Sequence, residues 1–330
     1  MLISSDTILR QYIPNVFATV SGEQSLYEKL RIELQLSEQW LTTHVLSDTI
    51  LNQLTTTNSL EDASSAVTDT TQTTAQPTNV SAANQQRETT NVQLKTLASR
   101  AIVSDAFVRA IPSLDLVLTP NGFGIVSNQN VAPASSERVE RLSQSLITNR
   151  DLAIDALIQL LLQNADWRAT TQAQYFLATL FPTLSSLTSQ LSTTPSTKTT
   201  QTTQTTLSLW DKYTSLHSPL ILIEQELADK FISPELYARL RNTQNTTTTQ
   251  TTAQSTIVTN TQSQTLISLL RSIELALLQG NPLPYNQLIS IVDYIRNRPD
   301  TFPEWQTSAT AQRYQPHAFE NTKSSSGYWF

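Results

Sequence analysis

The chain has no cysteine and only three histidines and five glycines in 330 residues. Without cysteine there is no disulfide framework, no thiolate zinc site, no iron–sulfur cluster and no cysteine nucleophile. His44, His217 and His317 lie too far apart in sequence to make a local metal motif. Five glycines leave little material for phosphate-cradling loops. Charge is scarce as well. Charged residues make up 15% of the chain and the formal net charge is −6, so no basic face for gripping nucleic acid is expected. The first residues lack a positive n-region, and apolar runs such as Leu157–Leu162 fall short of the ~20 residues of a membrane span. The expectation is a protein made and kept in a cytoplasm, or packaged into a particle assembled there, with no membrane partner and no cofactor.

What the chain has in excess is threonine and glutamine, 49 and 30 residues. They concentrate in three tracts, 55–91, 192–206 and 243–265, with too little apolar surface to offset chain entropy, and these read as flexible insertions. The remainder divides into an N-terminal helical segment 1–54, a central block 92–191, helical segments 207–242 and 266–298, and a tail 299–330. Apolar spacing makes these segments mainly α. Leu26, Leu30 and Leu34 share one face of a helix over Ser21–Leu34, and Ser37-Glu38-Gln39-Trp40 offers a cap to a following one. Pro112 is expected to stop a helix from Leu94 to Ile111. A helix from Glu137 is followed by a buried one over Asp151–Gln163, and helices at Leu207–Leu216 and Leu220–Phe231 lie on either side of Pro219. Ser233-Pro234-Glu235 reads as a cap with proline at the first helical position. The fold class is a helical bundle with one β-hairpin.

The hairpin is the stretch 115–126. Leu116, Leu118, Phe123 and Val126 alternate with other residues around Pro120-Asn121-Gly122, whose types supply the fixed and positive φ values of a tight turn, and Gly124 suits a bulge. A phosphate-loop reading of Pro120–Gly124 fails for want of the Lys-Ser/Thr that completes one. An isolated hairpin is marginal in water, so it must pack on helices or on another chain. Glu137, Glu140, Asp151 and Asp155 read as a solvated helix face rather than an acid/base pair, with Glu137 and Arg141 as an i, i+4 ion pair. Trp40, Trp167 and Trp210 belong to helical segments and read as core anchors. The tail instead scatters Trp305, Tyr314, Phe319, Tyr328, Trp329 and Phe330 among polar residues, and is expected to fold back on its own domain or, the favoured reading, to dock on a neighbouring subunit. Leu26-Tyr27-Glu28-Lys29-Leu30-Arg31 and Leu236-Tyr237-Ala238-Arg239-Leu240-Arg241 share an L-Y-x-x-L-R pattern that hints at duplication. No catalytic constellation meets the preconditions of an enzyme.

The block from Ala110-Ile111-Pro112-Ser113 through Leu118-Thr119-Pro120-Asn121-Gly122-Phe123-Gly124 to Ala132-Pro133-Ala134-Ser135, continuing to Leu142, resembles an uncharacterised family encoded by phages and prophages of Bacteroidetes, among virion structural genes. Ser25–Leu30 and Phe231–Leu236 extend the resemblance more weakly. It implies a head–tail connector, an adaptor ring of identical copies joining portal to tail or stopper proteins in the virion, with DNA only as passing cargo. It carries over no catalytic residue. Other virion roles (capsid-associated, tail or ejected cargo protein) stay open, as does a host binding module whose Asp6-Thr7-Ile8, Asp48-Thr49-Ile50 and Asp69-Thr70-Thr71 would carry glycans.

Overall fold

A computed structural model of the chain describes residues 1–13, 25–64, 80–114, 116–119, 122–125, 135–191, 207–244 and 254–314. The fold is mainly helical and divides into two compact units, Met1–Ser215 and Leu216–Phe330.

In the first unit α1 is Asp6–Tyr12, α2 Leu26–Leu41, α3 Asp48–Ser64, α4 Val80–Leu114, α5 Ser136–Leu161, α6 Ala165–Arg168, α7 Thr171–Leu177 and α8 Leu184–Leu191. Helices α2, α4 and α5 pack side by side. Their apolar stripes (Leu30, Leu34 and Leu41; Ala98, Ala101 and Ile102; Ile154, Leu157 and Ile158) are buried at helical spacing. Strands β1, Leu116–Thr119, and β2, Gly122–Ile125, pair antiparallel with Leu116 opposite Ile125 and Thr119 opposite Gly122. Pro120, Asn121 and Val126 lie outside the described residues, as do the side chains of both strands.

The unit boundary falls within α9, Leu209–Leu227. The second unit continues with α10, Pro234–Gln244, α11, Gln254–Leu278, α12, Tyr285–Arg296, α13, Pro303–Gln306, and α14, Ala309–Tyr314. Its core includes Leu220, Leu227, Leu236, Leu240, Leu270, Ile291, Ile295 and Phe302.

Several sequence expectations need correction. Ser37 starts no new helix. Ser25 is the N-cap instead, in a reciprocal capping box with Glu28, and α2 runs unbroken to Leu41 while Ser37 is buried inside it. Pro112 sits inside the last turn of α4. Pro219 lies within α9, where the helix continues because Ser215, whose carbonyl loses its partner, and Pro219 itself are both exposed to water. The two helices expected over 137–163 are one, α5. Helices α3, α4 and α11 run into the polar tracts, since adding a turn to an existing helix needs no new nucleus. Threonines there turn their hydroxyls onto the helix, as Thr55 and Thr56 do on Asn52 O.

The two units share one local architecture. After α2, the π turn Thr42–Leu46 closes with Ser47 N–H donating to Thr42 O at 3.0 Å, Ser47 at φ 77° and ψ 155°, and α3 follows. After α9, the π turn Ala228–Ile232 closes with Ser233 N–H donating to Ala228 O at 2.8 Å, Ser233 at φ 82° and ψ 142°, and α10 follows. In each unit a fully buried tryptophan donates its indole N–H to the carbonyl two residues before that serine: Trp167 to Val45 O at 2.7 Å, and Trp305 to Phe231 O at 3.0 Å. The next turn matches atom for atom. Thr170 Oγ1 donates to Trp167 O and accepts from Ala173 N–H, and Ser308 Oγ donates to Trp305 O and accepts from Ala311 N–H. Phe176 lies 6.1 Å from Trp167 at 31°, and Tyr314 lies 6.5 Å from Trp305 at 32°.

This repeat corrects the L-Y-x-x-L-R echo. Leu26 opens α2, before the first π turn, whereas Leu236 stands on α10, after the second, so the echo pairs places that are not equivalent.

Candidate functional site

Trp305 is not a docking anchor. It is buried in the second unit, and Tyr314 lies beside it with its hydroxyl donating to Lys230 O at 2.9 Å. The short helices α13 and α14 hold both, because an indole that finds a carbonyl inside a core loses nothing on burial. Phe319, Tyr328, Trp329 and Phe330 lie outside the described residues. Of the hairpin residues, Leu116, Leu118, Gly122, Phe123 and Gly124 are placed as strand backbone, paired with one another across the hairpin or with its other strand residues.

The carboxylates Asp151 and Asp155 are buried, against expectation. Asp151 accepts from Arg150 Nε at 2.9 Å and from Trp210 N–H at 3.0 Å. Asp155 accepts from Ser185 N–H at 2.9 Å, and its other oxygen from the Gln159 amide. Each exchanges solvation for charge-assisted bonds that join distant segments. Arg150 also reaches Asp105 on α4 at 3.1 Å, and Asp105 further accepts from Ser37 Oγ at 2.8 Å and Arg109 Nε at 2.6 Å. Burial works against the Arg150 charge, but Asp151 and Asp105 outweigh it and raise its pKa. Glu137 and Arg141 do form the expected surface pair.

Asp151 thereby fixes Trp210 at the start of α9, and Trp210 forms one side of a pocket of about 420 Å³ in the first unit. The others are Trp40 and His44 on one segment and Thr171, Gln172 and Tyr175 on α7, with Thr43 and Thr214 at the rim. Trp210 meets Trp40 edge-on at 5.1 Å, while His44 stacks on Trp40 at 5.1 Å and 26°. His44 Nδ1 lies 2.8 Å from Trp40 O, and because a carbonyl only accepts, Nδ1 carries a proton. Gln172 Nε2 donates to Thr43 O at 3.3 Å, tying α7 to the π turn. Among the described residues, no Asp, Glu, Lys or Arg lines the pocket. Its chemistry is aromatic faces with hydrogen-bonding edges.

The second unit holds the most concentrated buried charge. Glu224 accepts from Arg241 Nε at 3.1 Å and Nη2 at 2.7 Å, and Tyr237 donates to Glu274 Oε1 at 2.9 Å. Both carboxyls are fully buried, and Glu274 Oε2 has no hydrogen-bond partner. Burial, and then the charge of Glu224, hold the Glu274 carboxyl well above the usual carboxylate range. Burial likewise raises the Tyr237 phenol, with Glu274 adding to it. The cluster ties α9, α10 and α11 together inside the second unit.

Sequence reasoning missed this pocket because its walls come from three separated segments. The only local signal was Trp40 and His44 at i, i+4 on one helical face. Residues 22–176 match the Family of unknown function (DUF6712). The match ends at Phe176, the structural counterpart of Tyr314, and so takes in one copy of the repeated architecture from α2 to the aromatic that closes it. No curated protein and no solved structure matches the chain.

Proposed function

We propose that this chain is a non-enzymatic structural protein of a phage virion, a head–tail connector whose copies assemble into a ring between portal and tail. The observation that carries the reading is an exposed apolar stripe on α2. Ile32 and Leu36 stand one turn apart and are 68% and 45% exposed, although the same helix buries Leu30, Leu34 and Leu41 on its other side. A helix with apolar residues on two faces has a second surface to cover, and in a ring the next copy covers it. The β1–β2 hairpin serves the same end: a two-stranded ladder is marginal alone and gains stability on meeting a neighbouring subunit or the portal. The resemblance of the Ala110–Leu142 block to virion structural proteins supports a position at the head–tail junction. A formal charge of −6 lets DNA pass without being gripped.

Light scattering of the purified chain tests the ring, with electron micrographs of the same sample and mass spectrometry of virions. Closed rings, and the chain present in virions, are expected. A protein that stays monomeric at high concentration, together with virions that lack it, refutes the reading.

A further inference from the structure

The two copies of the repeated architecture differ most where the first unit has its pocket. Counting from the positive-φ serines, Trp40, Thr43 and His44 correspond to Glu226, Asp229 and Lys230, and counting from the buried tryptophans, Gln172 and Tyr175 correspond to Thr310 and Arg313. In the second unit these positions close on themselves. Lys230 Nζ pairs with Glu226 at 2.6 Å, and Arg313 Nη1 donates to Asp229 O at 2.9 Å. The scaffold is therefore satisfied by an ion pair and an arginine here, and does not need aromatic residues to fold. In the first unit the same positions carry Trp40, His44 and Tyr175, and Trp210 joins them around a 420 Å³ hollow. Tyr175 is 38% exposed. Large aromatic surface held open where the sister unit has charge is surface kept for a partner.

The lining selects the partner's chemistry. Among the described residues, the lining has no carboxylate to pair with a cation and no lysine or arginine to pair with an anion. Ring faces and edges instead suit another aromatic side chain, which packs edge-to-face or offset against them. The chain supplies such a group. Beyond Tyr314, the last described residue, it runs sixteen residues further and ends Ser324-Ser325-Ser326-Gly327-Tyr328-Trp329-Phe330. Its three consecutive aromatics, Tyr328-Trp329-Phe330, follow a Ser/Gly stretch. Fully extended, the fourteen residues from Tyr314 to Tyr328 span about 46 Å, enough to reach another copy. We infer that the Trp40–His44–Tyr175–Trp210 pocket receives the Tyr328-Trp329-Phe330 terminus of a second copy of this chain. The inference rests on the self-assembling reading above, and makes the pocket one of the contacts between successive copies.

The test uses two full-length variants and a synthetic peptide of residues 319–330. The acceptor carries Y328S, W329S and F330S, which leave its pocket without a competing terminus. The second variant adds H44K and Y175R, residue types that the sister unit hosts at the same scaffold positions, so the fold is retained; circular dichroism checks this. Isothermal titration with the peptide is expected to show saturable binding to the acceptor and binding roughly 30-fold weaker to the pocket variant, the loss of an aromatic hot spot. Light scattering of H44K/Y175R with its natural terminus is expected to show smaller assemblies than the unaltered chain. Equal binding to both variants, or none to the acceptor, overturns the inference. A terminus that binds only within its own chain, seen as a monomer with its pocket already occupied, overturns it too. If rings form normally in H44K/Y175R, the pocket inference fails while the ring stands; if the unaltered chain is monomeric yet the acceptor binds peptide, the ring fails.

Discussion

Replacing Ser47 by glycine is expected to stabilise the first unit. At φ 77° and ψ 155°, Ser47 occupies backbone space that is essentially reserved for glycine, at a cost of about 1–3 kcal/mol. The π turn imposes this, because Ser47 N–H must reach back five residues to Thr42 while its carbonyl turns to accept from Leu51 N–H at 3.1 Å and start α3. The side chain returns nothing: Ser47 Oγ is buried with no hydrogen-bond partner, a desolvation cost of about 1 kcal/mol or more. Against these gains stands the greater freedom of glycine in the unfolded chain, about 0.5–1 kcal/mol. The balance is a gain of about 2 kcal/mol. At Ser233 the strain is similar, but Oγ accepts from Leu236 N–H at 3.2 Å and caps α10, so S233G loses a cap as it relieves the backbone and gains only about 1 kcal/mol. S47A separates the causes, since it removes the orphan hydroxyl and keeps the strain. Two units make a single global transition unsafe to assume, so the assay is native-state hydrogen exchange read at the α3 amides, beside urea unfolding. Slower exchange in the order S47G, then S47A, then the unaltered chain is expected. An S47G protein that is destabilised, or no better than S47A, refutes the strain argument.

The paired tryptophans give a second expectation: W167F and W305F each strip a buried carbonyl, Val45 O or Phe231 O, of its indole donor, at about 1–3 kcal/mol beyond the lost volume. Hydrogen exchange should report the loss in the first unit for W167F and in the second for W305F; loss spread evenly over both would count against equivalent, separate latches. The third concerns pH. Burial and then Glu224 raise the Glu274 pKa in the folded chain, so folding takes up a proton, and stability that is full below the ordinary carboxylate range declines as pH rises through that range toward the raised folded value. E274Q should flatten the second unit's urea midpoint against pH above the ordinary carboxylate range while keeping an acceptor for Tyr237; an unchanged slope would show that Glu274 ionises freely. The fourth is D105N, which leaves Arg150 in the interior with Asp151 as its remaining carboxylate and should cost a few kcal/mol, read as a lower urea midpoint with lost protection on α4 and α5; a change under about 0.5 kcal/mol, the scale of an ordinary surface substitution, would show that Asp105 is no hub.

The helical class and most helix cores were legible in the sequence because burial follows the 3.6-residue period, as at Leu30 and Leu34 or Ile154, Leu157 and Ile158. Helix ends were less legible. Ser37 looks like a cap, but the carboxylate it serves, Asp105, lies 68 residues away, and no local pattern reveals such a partner. Pro112 and Pro219 look like breaks, but one falls in a last turn and the other on an exposed face. Asp151 and Asp155 look like surface acids until Trp210 N–H and Ser185 N–H arrive from elsewhere to satisfy them. In each case a long-range polar contact or a solvent-facing gap decided the outcome.

The repeated architecture was written in the sequence, but not where repetition is usually sought. Trp167-Arg168-Ala169-Thr170-Thr171-Gln172-Ala173-Gln174 and Trp305-Gln306-Thr307-Ser308-Ala309-Thr310-Ala311-Gln312 share Trp, a hydroxyl three residues on, then Ala-Gln. The tryptophan and the hydroxyl each make a bond that requires them, the indole to the π-turn carbonyl and the hydroxyl to the next turn's N–H, and the alanine is small where α7 or α14 is buried. The residues between serine and tryptophan differ in number in the two units, so no fixed period exists to be found. L-Y-x-x-L-R, by contrast, is what any amphipathic helix can write, and it aligned inequivalent places. The physical constraint is strictest at the latch, and there the copies kept their residues. At the pocket they differ, the second unit with an ion pair and the first with aromatic rings.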